Sequence, residues 1–322
     1  MVLTDFMEAV SFIGSGGVYL SLLVLVYWCV DARWGARAAV LLAAGTVLNT
    51  VLKLFFHEPR PFWTDASVTG HEPRDSFGMP SGHAQSAAVF WGFAAAQAPA
   101  GRPALRRAAW AAALAVIGLI GASRVVLGVH SIGQVTAGFA IGAVLLAVGL
   151  HLEPLAVPWW TRRPLPAQLG LALGVSLALA GLGWAAVEAL GGWQWPAPWA
   201  HAIAQAGGRA EPVTAGDCAA AAGGLFGLLA GLSWTAHRGG YDASGRLWRR
   251  LARIPVGAAG VSAFYTLGLF LGTQPVQAFA GQALLALWAT AGAPEAFMRL
   301  GLATRTTRAV TRAGEERAEV RQ

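Results

Sequence analysis

The sequence predicts an all-α integral membrane protein, a helical bundle of about nine transmembrane helices. Three observations predict it. Of 322 residues, 56% are hydrophobic and 12% charged, roughly half the charged fraction of a soluble domain. Apolar runs of about 20 residues recur, long enough to cross a hydrocarbon core of about 30 Å. Those runs are continuously apolar with no alternation of period two, which makes them helices rather than barrel strands.

The chain opens Met1-Val2-Leu3-Thr4-Asp5, acidic where a cleaved leader is basic. It is therefore expected to be retained, with 3–13 as a short interfacial helix. Spans are expected at 14–30, 36–56, 81–98, 107–123, 131–150, 167–190, 214–236, 255–273 and 276–298. Four prolines, Pro154, Pro158, Pro164 and Pro166, interrupt the series after the fifth span. They divide the chain into a five-helix core (1–153), a four-helix extension (154–298) and a basic tail (299–322). Trp193, Trp195 and Trp199 fall in loop 191–213 and read as an aromatic belt at headgroup level. Gly223, Gly227 and Gly231 have small-residue spacing that ordinary close helix packing explains. Cys29 and Cys218 lie far apart in apolar segments without metal-ligand spacing, as small buried hydrophobes do.

The formal net charge is +7. In a membrane chain this reports topology before it reports a nucleic-acid partner, and no aromatic-interleaved basic surface argues for one. With the N-terminus outside, the loops from Arg33 and Arg37 through Arg102, Arg106 and Arg107, Arg162 and Arg163, and Arg238 to Arg253 share one side with the Arg299–Arg321 tail. Excess positive charge marks that side as cytoplasmic. The tail most simply contacts anionic headgroups. Lys53, Arg60, Arg74, Arg124 and Arg209 stay on the other side, and three of them sit in clusters that ask for a different explanation.

Lys53 is the only lysine in the chain, which suggests a compact ammonium is wanted there. Arg60 follows between Pro59 and Pro61, whose rings restrict the backbone on both sides. Pro80-Ser81-Gly82-His83 opens the third span. Ser81 is a good N-cap, Gly82 admits another group close to the backbone, and the helix N-terminus favours an anion. His83 sits in the first turn of that helix. Ser123-Arg124 ends the fourth span and His130-Ser131 opens the fifth, with Gln134 one turn beyond His130 on the same face. A helix N-terminus disfavours imidazolium and keeps a nucleophilic imidazole. The Gln134 amide oxygen can accept from one ring nitrogen and fix the tautomer.

Two guanidinium groups, an ammonium, two helix N-termini and two histidines make a site for a phosphoryl group, whose transition state is stabilised mainly by positioned positive charge. One histidine can attack phosphorus while the other protonates the leaving oxygen. Carboxylates at ligand spacing are missing, and three cations would repel a metal ion. Neither a metal nor another cofactor is expected.

These motifs resemble the membrane branch of the type 2 phosphatidic acid phosphatase superfamily. The family pattern is Lys, six residues, Arg-Pro; Pro-Ser-Gly-His; and Ser-Arg, five residues, His, three residues, Asp. Lys53, Arg60, Pro61, Pro80, Ser81, Gly82, His83, Ser123, Arg124 and His130 match at the right spacing, over roughly 15–150. The resemblance implies His130 as nucleophile forming a phosphohistidine and His83 as general acid and then base. Lys53, Arg60, Ser81, Gly82 and Arg124 would hold the phosphate oxygens without a metal. It implies a lipid phosphate or pyrophosphate as substrate, at an outward-facing site in a bacterial cytoplasmic membrane. Gln134 stands where the family has Asp. An amide orients an imidazole as a carboxylate does, but cannot neutralise its charge. Glu58, Asp65, Glu72, Asp75, Glu188 and Asp217 are the candidates for a carboxylate borrowed from elsewhere. Alternative readings are a catalytically silent lipid-phosphate binder or transporter and a phosphotransferase; homo-oligomerisation is left open.

Overall fold

A computed structural model describes residues 2–306 apart from 73, 195 and 210–212. In chain order the helices are α1 (Val2–Ile13), α2 (Gly16–Cys29), α3 (Ala32–Phe56), α4 (Pro61–Thr64), α5 (Gly82–Ala96), α6 (Pro103–Val126), α7 (Ile132–Thr161), α8 (Leu165–Ala189), α9 (Ala197–Gln205), α10 (Gly216–His237), α11 (Leu247–Leu271), α12 (Pro275–Leu287) and α13 (Ala293–Arg299). A π-helical turn, Trp288–Gly292, joins the last two. Proline opens α4, α6 and α12, where the missing N–H has no intrahelical partner to lose.

Among the described residues, seven helices are long and apolar enough to cross a membrane, or eight if α1 and α2, bent by 44° at their junction, form one broken span. The expected count of about nine, give or take one, therefore holds to within one. The difference is the span expected at 81–98. Helix α5 has 15 residues, about 22 Å at the usual rise and short of the hydrocarbon thickness. Its apolarity has another cause. Ala84, Gln85, Ala87, Ala88, Val89, Phe90, Gly92, Phe93 and Ala95 are all buried, so α5 is surrounded by protein and need not match a bilayer.

The residues group into two compact units that interleave along the chain: Met1–Leu20, Leu41–Pro154 and Leu179–Cys218 in the first, and Ser21–Val40, Leu155–Ala178 and Ala219–Gln322 in the second. This grouping differs from the sequential blocks drawn at the prolines, because Leu179–Cys218 group with the first unit and Ser21–Val40 with the second.

In the first unit, α5 lies directly against α7. A Cβ at Gly138 would stand 2.6 Å from the Ser81 carbonyl oxygen, and one at Gly142 would stand 2.6 Å from that of Gln85. Gln85 ties α5 to α3 as well, donating to the Gly45 carbonyl at 2.7 Å and accepting from Asn49 at 2.9 Å. An apolar cluster of Leu54, Phe62, Trp63, Phe77, Leu127, Val129, Ile203 and Cys218 closes the same end. Trp193 and Trp199 pack into that cluster, with ring centroids 5.8 Å apart and Trp193 5.8 Å from Phe77. Both are half-buried against that cluster, and Trp195 lies outside the described residues.

In the second unit the small-residue stripe of α10 serves internal packing. A Cβ at Gly223 or Gly227 would stand 2.1 Å from the backbone oxygen of Phe279 or Ala283. Pro294 has no N–H to give the carbonyls one turn before it; Trp28 Nε1 donates to Ala289 at 2.8 Å, and Tyr27 and Thr235 hydroxyls donate to Thr290 at 3.0 and 2.8 Å. Arg253, grouped above with the loop charges, is in α11 and 1% exposed. It donates to the carbonyls of Trp28, Ala243, Ser244 and Leu302 at 2.6 to 2.8 Å, so it clamps the unit together. Arg308, Arg312, Arg317 and Arg321 of the tail lie outside the described residues.

Candidate active site

Helix α3 ends with His57 donating its backbone N–H to Lys53 O at 2.9 Å. His57 has φ 36°, left-handed for a non-glycine residue, and this reversal turns the chain into Glu58-Pro59-Arg60-Pro61. The Lys53 ammonium donates to the Phe77 carbonyl. Arg60 is 2% exposed and fully engaged. Its Nε donates to Ser76 O at 2.7 Å and its Nη2 to Ser76 Oγ and Phe77 O at 3.2 and 3.3 Å. Its Nη1 donates to Val129 O at 2.9 Å and lies 3.0 Å from His130 Nε2. The fork of one guanidinium thus joins the loop at 76–77 to the start of the third cluster.

Ser81 caps α5, accepting from Ala84 N at 3.5 Å, and its own N–H donates to Gln134 O at 3.0 Å. That bond sets the openings of α5 and α7 side by side. At Gly82 a Cβ would stand 3.2 Å from Asn49 Oδ1. His83 follows in the first turn, with a buried Nε2 that has no protein partner among the described residues, within electrostatic reach of Arg124, Arg74, Glu72 and Arg60.

Arg124, wholly buried, ends α6. Its Nη1 donates to Glu72 Oε1 at 2.7 Å and to the Ser11 hydroxyl, while Nε and Nη2 are buried without partners among the described residues. Ser11 also donates to Glu72 at 2.5 Å. Partial burial raises the Glu72 pKa, but the hydrogen bonds and charges of Arg124, with Ser11 and Arg74, outweigh it and hold the carboxyl at about 2. Gly128, at φ 70°, makes the turn after α6.

His130 is 3% exposed. Its Nδ1 lies 3.1 Å from Gln134 Oε1. The amide's orientation follows from its other contacts. Gln134 Nε2 donates to Glu58 Oε1 at 2.9 Å and to Pro59 O at 2.8 Å, and Oε1 accepts from Ser131 N at 3.3 Å. Two acceptors on one side leave the oxygen for the imidazole, so Nδ1 carries the hydrogen and Nε2 keeps its lone pair. Burial, then the charges of Arg60, Lys53 and Arg124, hold the imidazole well below the usual histidine pKa, which keeps that lone pair free of a proton.

The three clusters therefore meet. Arg60 touches His130, His130 touches Gln134, and Lys53 and Arg60 share the Phe77 carbonyl. Of the carboxylates considered, Glu58 reaches the Gln134 amide, Asp65 caps Ser67, and Glu72 is taken by Arg124 and Arg74. Sequence reasoning missed Ser11 and Gly78. Ser11 sits on a helix read as interfacial, and nothing in its neighbours marks it. A Cβ at Gly78 would lie 2.4 to 2.6 Å from three atoms of the Gln134 amide, a constraint invisible without coordinates.

Comparison with known proteins gives the same picture of relationship. The family model for the PAP2 superfamily matches residues 34–157, and the model for the PAP2 superfamily phosphatase transmembrane extension matches 219–305. Phosphatidylglycerophosphatase B of Bacillus subtilis (strain 168) is 31% identical over 151 residues, covering 44% of this chain and 71% of that protein. The crystal structure of a transmembrane PAP2-type phosphatidylglycerolphosphate phosphatase from Bacillus subtilis superposes with a TM-score of 0.41 at 25% identity, covering 47% of this chain and 77% of that one. The segment carrying all three motif clusters is the segment the superfamily model matches: the chain belongs to the PAP2 superfamily and is a membrane lipid phosphatase.

Proposed function

We propose that the chain hydrolyses a lipid phosphate or pyrophosphate, a phospholipid phosphate or a polyprenyl pyrophosphate, through a phosphohistidine on His130 and without a metal. The observation that carries the reading is the state of the two histidines. His130 has a hydrogen held on Nδ1 by Gln134 and a lone pair on a buried Nε2 beside Arg60. Among the described residues, His83 Nε2 and two nitrogens of Arg124 are buried without partners, Arg124 acts electrostatically on both histidines, and buried unpaired groups of this kind call for a ligand or other partner.

His130 Nε2 attacks phosphorus; the P–N bond forms as the bond to the lipid oxygen breaks, and His83 gives that oxygen its proton. Lys53, Arg60, Arg124 and the N–H groups at Ser81-Gly82 take the charge on the phosphoryl oxygens. Water, deprotonated by His83, then attacks phosphorus and breaks the P–N bond, releasing phosphate. Each proton lent is returned.

Release of inorganic phosphate from phosphatidic acid, phosphatidylglycerophosphate and undecaprenyl pyrophosphate, in detergent with EDTA, tests this. Activity should persist in EDTA and be lost in His130→Ala. A His130→Ala variant with parental turnover, or loss of activity in chelator, would sink the mechanism. A parent that binds these lipids yet releases no phosphate would instead favour a silent binder, and phosphate found on a second alcohol would reveal a transferase. The arginine distribution supports a site on the extracytoplasmic face with the C-terminus in the cytoplasm. In a Cys29→Ser/Cys218→Ser background, Ala66→Cys in the loop after α4 should react with an impermeant maleimide on intact cells; labelling only after lysis would reverse the orientation.

A further inference from the structure

The carboxylate expected beside the nucleophilic histidine is displaced by one group. Gln134 is 1% exposed, and all its side-chain polar atoms are committed, the oxygen to His130 and Ser131 and the nitrogen to Glu58 and Pro59. The Glu58 side chain therefore meets His130 through an amide, in the order carboxylate, amide N–H, amide C=O, imidazole Nδ1–H. Glu58 is itself placed by the turn after α3, with its carbonyl accepting from Gly78 N at 2.8 Å.

We propose that Glu58 is a positioning residue of this phosphatase, delivering through the polarised Gln134 amide the negative charge that a directly bonded carboxylate would supply. The proposal rests on the reading of His130 as the attacking group. When the P–Nε2 bond forms and the bond to the leaving oxygen breaks, Nδ1 keeps its hydrogen and the ring becomes cationic. No proton travels along the relay. An anion at one end of an amide raises the acceptor strength of the oxygen at the other, as hydrogen bonds in a chain polarise one another. A Gln134 with no anion behind it would orient the ring and stabilise its charge only through the amide dipole.

The experiment uses the full chain in detergent with phosphatidic acid as substrate and orthovanadate as a phosphoryl mimic that needs no turnover. Glu58→Gln keeps an oxygen to accept from Gln134 and removes only the charge. It should lower kcat about 30-fold, the factor expected for an anion about 8 Å from the developing cation at an effective dielectric near 20. KM should stay within about twofold, and vanadate affinity should fall by a similar factor to kcat. Asp65→Asn, in the same loop but with its carboxylate bonded to Ser67, should match the parent. Gln134→Asp alone sets two carboxylates together and should lose activity. The double variant Glu58→Gln/Gln134→Asp restores one carboxylate at the imidazole and should recover to within about fivefold of the parent. Parental kcat in Glu58→Gln overturns the relay, as does a double variant no better than Gln134→Asp alone. The underlying site reading fails differently: a parent that binds vanadate no more tightly than His130→Ala.

Discussion

Gly78→Ala separates the orientation of the nucleophile from the integrity of the fold. The added methyl would lie 2.4, 2.5 and 2.6 Å from the nitrogen, oxygen and carbon of the Gln134 amide, about 1 Å inside ordinary contact. These atoms end a flexible side chain, so the backbone is spared and the amide must swing away. The bond at stake is the 3.1 Å contact to His130 Nδ1, which becomes charge-assisted once the ring is phosphorylated. Such bonds contribute about 1.5–3 kcal/mol, a loss of roughly 10- to 150-fold in kcat. The cost to stability is that of the contacts to the Glu58 carboxylate, Pro59 and Ser131, about 1–3 kcal/mol once the amide finds new partners. The assay is steady-state phosphate release together with thermal unfolding in the same detergent. KM should change little, since Lys53, Arg60 and Arg124 do not touch the amide. Parental kcat would refute the role of Gln134 in holding the nucleophile. Unfolding of the variant would show that the packing around Gly78 cannot yield.

Two further predictions concern other parts of the chain. The Glu72 pKa is pushed down to about 2, so its stabilisation is fully present above the ordinary glutamate range and is lost as pH falls towards 2. Thermal unfolding of Glu72→Gln between pH 5 and about 2 should be flatter than that of the parent; parallel curves would remove Glu72 from the network around Arg124. In α10, Gly227→Ala drives a methyl to 2.1 Å from a backbone oxygen, while Gly224→Ala meets nothing within 4 Å. The first should lose about 1–3 kcal/mol by forcing helices apart and the second should gain up to about 1 kcal/mol of helix propensity, both read by unfolding in detergent. Equal effects would mean that α10 and α12 do not pack as described.

Some features of this protein were fixed by residue order alone. Lipid leaves no partner for free backbone groups, so long apolar runs had to be helices. Lys53, Arg60, His83, Arg124 and His130 were legible because few side chains offer a positive charge or a proton at a phosphoryl group, and each stands at the end of an apolar run. The length of α5 was not legible: alanine, valine and phenylalanine look the same to a sequence whether they face lipid or neighbouring helices. Nor could the sequence choose among the carboxylates. Glu58 and Gln134 are 76 positions apart, and a left-handed turn at His57, Gly78 packed against the amide and the glycines of α7 together bring them to 2.9 Å. Ser11 reaches Arg124 across 113 positions. Local chemistry names the groups that can act, but which of them touch is set by long-range packing, where a single Cβ or a reversed φ moves a side chain by more than the length of a hydrogen bond.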